Sequence, residues 1–184
     1  MTEDQEAFSV QREDLILKCQ RLQFEWIDWG CEHAPTTSLM VSKTAQATDT
    51  FVDCFAAATI MSAYWSTGIL ILSALNIVLG TPNLATLDDR TDPRICCKKL
   101  ADLIPTFVNS HAGKFGIHAT ISAAIIALLY LEEVDGDFVS AEARAFYAAF
   151  SLGKDGKTMH YFVDNFRRQF RAKGIRLFAP LAIL

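Results

Sequence analysis

The chain predicts an all-α fold, a single-domain bundle of about six helices around one long apolar helix. The run from Phe51 to Gly80 is almost wholly apolar, and as a helix from about Asp49 to Leu79 it would span about 45 Å. Elsewhere apolar residues recur at alternating spacings of three and four, the mark of amphipathic helices. No segment sustains the apolar–polar alternation of a half-buried strand, and neither an internal repeat nor a low-complexity tract interrupts the 184 residues, which suffice for one domain with a real core.

Residues 1–10 are expected to be flexible. Between Gln11 and Trp29 the residues Leu15, Cys19, Leu22, Trp26 and Trp29 form one stripe of a first helix, which Gly30 and Pro35 should end. Thr36 to Thr48 then reads as a connector, with Asp49 as N-cap of the long apolar helix and Gly80, Thr81 and Pro82 as its stop. Asp92 followed by Pro93 is a cap and first turn, because proline's missing N–H costs nothing there; Pro105 should close that helix after Ile104.

A second apolar run, Phe115 to Leu131, ends in Glu132 and Glu133. The turn Asp135-Gly136-Asp137 leads to Ser140, an N-cap for an alanine-rich helix ending near Gly153. Met159, Phe162, Val163, Phe166 and Phe170 mark the stripe of a last helix that Gly174 terminates. The segment Ile175 to Leu184 is apolar apart from Arg176, and Pro180 forbids a continuous helix. It is expected to act as a clasp, over its own core or, preferably, against a second subunit in a homodimer.

A net charge of −4 excludes general nucleic-acid binding, which needs a basic field. Lys154 to Arg176 reverses the balance locally, as a solvated helix face or a contact for an acidic partner. Five cysteines lack the spacing of a disulfide framework or a zinc finger, and the acidic start lacks the basic and apolar segments of a secretory signal. A cytoplasmic or nuclear setting follows as the expectation. Cys54 to Leu75 is long enough to cross a bilayer, but its flanks lack a Lys/Arg asymmetry and the first helix wants a protein surface, so no membrane partner is expected.

The segment SAYWSTGILILSALNIVLG resembles the aromatic-rich helix with an aliphatic continuation in the regulatory domain of fungal binuclear-zinc-cluster transcription factors. RICCKKLADLIPTFVNSHAGKFGIHATISAAIIALLYL resembles the following helix pair of that family, and MHYFVDNFRRQF its closing helix. The resemblance covers roughly residues 45 to 175 and implies the helical scaffold alone: no six-cysteine module or basic linker is present, and the apolar helix lacks a proline expected within it. Such a scaffold would regulate through protein contacts, or would be reused to bind and transform a small molecule.

Asp53, one turn into the apolar helix, is either a buried carboxyl with the raised pKa of a general acid or an acid on the exposed face. His118, among small residues, is either a proton carrier or a satisfied core histidine. Tyr64, Trp65, Asn76, His111 and Tyr130 are candidate substrate-binding groups, each open to the alternative of core or boundary packing. His160 and Asp164 share a helix face, but no third or fourth ligand stands near in the sequence, so no metal is expected. Cys96 and Cys97, beside Lys98 and Lys99 at a helix start, are either activated or inert. Nucleotide and hydrolase motifs are absent and no cofactor is expected. The expectation is a small-molecule-binding protein, a metal-free acid–base isomerase, cyclase or dehydratase acting on an apolar secondary-metabolite intermediate through Asp53 and His118. Its alternatives are a regulator that does not bind DNA and a small integral membrane protein.

Overall fold

Glycine and proline in the first quarter of the chain do not break the helix that the apolar periodicity starts. The computed structural model describes residues 3–43, 51–80, 92–135, 140–151, 153–174 and Phe178. Among them are six helices and no strand: α1 Glu3–Lys43, α2 Phe51–Leu79, α3 Pro93–Phe107, α4 Gly113–Asp135, α5 Ala141–Phe150 and α6 Gly153–Ala172. Thus α1 begins within the segment expected to be flexible and passes through Gly30 and Pro35 into the expected connector. Asp49 lies outside the described residues.

The reason for this continuity is tertiary. Gly30 is buried beneath Tyr64 of α2, and a Cβ there would stand 2.0 Å from the Tyr64 hydroxyl oxygen. Glycine is therefore a contact residue that lets two helices approach, not a helix stop. In the reverse direction Trp26 of α1 lies over Gly68 of α2, where a Cβ would come within 2.4 Å of its ring. Trp26 Nε1–H donates to the Tyr64 carbonyl at 2.9 Å, and the two rings stack with centroids 4.8 Å apart. Arg12 donates to the carbonyls of Val78 at 2.9 Å and Leu79 at 3.2 Å, placing a cation on the C-terminus of α2, whose own last turn has none. The α1–α2 pair is thus an antiparallel hairpin, held at the C-terminal end of α2 by Arg12 and in the middle of α2 by the glycine–aromatic contacts.

Local signals set the other boundaries. Asp92 caps α3 by accepting from Arg94 N–H at 2.8 Å, with Pro93 in the first turn. Ser140 caps α5 by accepting from Ala143 N–H at 3.2 Å. Gly80 and Gly174 leave α2 and α6 with φ of 68° and 63°, a region in which glycine carries no Cβ penalty. Pro105, by contrast, does not end α3. The helix continues to Phe107, which is fully buried and meets Phe55 edge-on with centroids 5.5 Å apart. Burying that ring outweighs the backbone bond lost at an exposed proline.

The helices pack in layers. Among the described residues α1 touches only α2; α2 in turn packs on α3 and α4, and α5 and α6 close the far side by packing on α3 and α4 respectively and on each other. The main core joins Ile69 and Leu72 of α2 to Leu100 and Ile104 of α3, Leu128 and Leu131 of α4, and the rings of Phe146 and Phe150 of α5. Both α2 and α4 are long and apolar enough to cross a membrane, and within this fold each gives much of that apolar surface to neighbouring helices. Of the expected clasp only Phe178 is described. It is buried against Tyr130 with centroids 5.5 Å apart, and its N–H donates to Glu133 Oε2, so at this point the tail seats on its own core.

Backbone approaches backbone closely between α3 and α4, where a Cβ on Gly116 would stand 1.9 Å from the Phe107 carbonyl oxygen. A backbone atom cannot rotate away as a side chain can. Gly116→Ala should lower stability by about 2–3 kcal/mol in a urea titration. An unchanged midpoint would show that the two helices separate freely.

Candidate functional site

The residues singled out from sequence do not gather in one place. Asp53 lies exposed in the first turn of α2, where a carboxylate favours the helix N-terminus; it is not a buried acid. An apolar helix of this length gives no periodic clue to which side faces water, and Phe51 and Cys54 turn inward instead. His111 is exposed in the turn between α3 and α4, its ring 5.7 Å from that of Phe51 and its N–H bonded to Asn109 Oδ1 at 3.0 Å. His118 is exposed two turns further on, along α4.

Tyr64 and Trp65 belong to the α1–α2 interface. Tyr64 is flanked by Trp26, by Trp29 at 5.0 Å and by Trp65 at 4.7 Å, and burial pushes its hydroxyl up to about 12, with Cys96 and Cys31 adding to the effect. A phenol so surrounded is a packing element. Asn76, half-buried near the end of α2, gives its carbonyl to Gly80 N–H at 3.1 Å. Tyr130 is buried beside Phe178; its hydroxyl has no hydrogen-bond partner among the described residues, and burial raises its pKa.

Two apolar grooves open on the surface. One, of about 480 Å³, runs between α1 and α2 and is lined by Leu22, Trp29, Ile60 and Ile71 among others. The other, of about 540 Å³, runs between α4 and α6: Ile117, Ile121, Ile125 and Leu129 form one wall and Phe162, Phe166 and Phe170 the other. His118 and Ser122 supply the polar groups in this lining. Asp53 lines neither groove, so the pairing of Asp53 with His118 in one cavity is absent from the described structure.

The stripe expected to bury α6 splits in two. Met159 and Val163 enter the core, whereas Phe162 and Phe166 remain on the open side and make the groove wall. Sequence periodicity placed all of them on one helix side and could not show that the side is wider than the surface α4 offers. Below the groove a buried ionic cluster fixes α6 against α4. Arg167 donates through Nε to Glu132 Oε2 at 2.7 Å and through Nη1 to Tyr147 Oη at 3.1 Å and Asp164 Oδ1 at 3.0 Å; Arg171 also pairs with Glu132. Side chains of Arg167 and Glu132 are only 10% and 11% exposed, so removing either would leave the other buried with one opposite charge fewer beside it.

His160 packs against Tyr147 and Phe150, while Asp164 is engaged by Arg167, and no group of three potential metal ligands gathers among the described residues. The cysteine doublet is buried. Burial pushes the Cys96 thiol up to about 12, with Asp92 adding to it, and raises Cys97 well above the ordinary thiol value. These are inert thiols at neutral pH, contrary to the activated alternative.

No family model, curated protein or solved structure matches this chain.

Two measurements test these environments. Tyr130→Phe should leave stability unchanged or raise it by about 1 kcal/mol, since it removes a buried hydroxyl without a partner. A loss would reveal a bond the hydroxyl makes in solution. In thiol titration with a disulfide reagent, Cys19, Cys54, Cys96 and Cys97 should react only as the protein unfolds; rapid reaction of Cys96 in the native state would contradict its burial.

Proposed function

We propose that the protein binds an apolar small molecule in the groove between α4 and α6, with His118 as the residue that exchanges a proton with it. The groove itself carries this reading. Its volume of about 540 Å³ lies in the range of small-ligand sites, and its walls are aliphatic on one side and aromatic on the other. Two polar side chains in an otherwise apolar lining fit a ligand that is mostly hydrocarbon with one oxygen function.

The titratable group in the lining is a single imidazole, which narrows the chemistry. One histidine can take a proton from one carbon and return it to another, as an isomerisation by proton shift requires. A dehydration or cyclisation needing a separate acid and base finds no second titratable residue among the described residues of this lining. Asp53, at the start of α2, therefore has no part in the proposed step.

A regulator acting through protein contacts remains the second reading, favoured by the apolar side chains that α1 leaves exposed and by the resemblance of residues 45 to 175 to a transcription-factor scaffold. The two readings differ in what fills the α4–α6 groove. An apolar fluorescent dye such as Nile red should bind saturably to the wild type. Ile121→Asp and Phe166→Asp, which place a charge on opposite walls, should each weaken it at least tenfold. His118→Gln should keep the binding of an apolar ligand and abolish its isomerisation. Dye binding unchanged in both wall variants would remove the groove as the site.

A further inference from the structure

A second interaction surface lies on α1, diametrically opposite the side that packs on α2. Val10, Leu17 and Phe24 are 63%, 65% and 70% exposed, and with the exposed Cys31 they recur every seven residues. Ile27 adds a half-buried side chain to the same stripe. With Ile27 the apolar positions make a short seam on which another helix can pack, although its equivalents one and two heptads earlier are the polar Gln20 and Glu13. By backbone proximity α1 neighbours α2 alone among the described helices.

We propose that this stripe is the homodimer interface, formed by α1 packing antiparallel on α1 of a second copy. Charge placement identifies the occupant. Asp14, Arg21 and Asp28, also seven apart, form a row along one flank of the stripe. In an antiparallel pair equivalent flanks face each other, so a row with alternating sign is complementary to itself. When Phe24 and Ile27 of the two copies straddle the two-fold axis, Arg21 of each faces Asp28 of the other, and the symmetry makes every contact twice.

Other registers are disfavoured by the same row. Sliding by one heptad in one direction sets Arg21 against its own counterpart and Asp14 against Asp28; in the other it sets Asp28 against Asp28. Two heptads away Arg21 would meet Asp14, but Phe24 would then lie against Glu13. A parallel pair would bring the charged row against the opposite flank, where Ile16, Gln23 and Gly30 carry no charge. The homodimer expected from the C-terminal tail is thus reassigned to α1, with Phe178 occupied by its own core.

Sedimentation of the full chain at micromolar concentration should give twice the 20.4 kDa of one chain. Leu17→Glu with Phe24→Glu should give a monomer of unchanged helical circular dichroism, because both side chains point away from α2. Arg21→Asp and Asp28→Arg should each weaken the dimer roughly tenfold, and the double exchange should restore it. Treated with diamide, Gln20→Cys should crosslink to Cys31 of the second copy. Within one chain those positions are about 16 Å apart along the helix and cannot be bridged. Three results would overturn the proposal: a monomeric wild type, a dimer insensitive to the Leu17 and Phe24 substitutions, or wild-type crosslinking through Cys31 alone, which an antiparallel pair keeps apart.

Discussion

The reciprocal contact between α1 and α2 is the constraint on which the outer half of the molecule depends. Each helix offers one glycine to an aromatic ring of the other: Gly30 receives Tyr64, and Gly68 receives Trp26. Neither aromatic could sit there over an alanine without displacing a ring, and the Trp26 indole N–H is bonded to the Tyr64 carbonyl. The contact sets the axial register of a 41-residue helix that has no other neighbour among the described residues. That register determines which of its sides faces water. Cys19 and Trp26 are committed to α2, Leu22 and Trp29 are left on the groove, and Leu17 and Phe24 are turned outward.

A different kind of constraint governs the inner half. Helix α6 is fastened to α4 by charge, through Arg167 and Glu132, while its aromatic side remains only partly covered. A buried ion pair adds little net stability, because desolvation offsets its attraction, yet it tolerates few alternative positions of the two partners. Met159 and Val163 anchor the same helix in the core, so α6 is held by apolar packing and by the ionic cluster together, with Phe162 and Phe166 left on the groove wall.

What was legible in the sequence was what local chemistry decides. The Asp92 and Ser140 caps and the Gly80 and Gly174 stops all depend on residues within one turn of the boundary. The errors share one cause, a distant partner that overrides a local preference. Gly30 and Pro105 look like helix breakers until Tyr64 and the buried ring of Phe107 are in place. Asp53 and His118 were chosen for their apolar neighbours in sequence, but in a helix apolar on every side those neighbours do not imply a shared interior. Of these two only His118 lines a groove, and the aromatic wall opposite it comes from α6, whose periodic stripe points to the core by sequence.

The described surface keeps several apolar side chains in a chain whose charged residues are 21% of the total. Phe162 and Phe166 are exposed on the wall of one groove, Phe115 is exposed near the start of α4, and Ile60 and Leu70 are exposed on α2. Isolated apolar side chains on a surface need no explanation, but contiguous ones do. Their distribution follows the architecture: the rigid inner layers carry a concave apolar surface suited to a compact ligand, whereas the single outlying helix carries a linear one suited to another helix. The two surfaces sit on different helices, with α2 packed between α1 and α4.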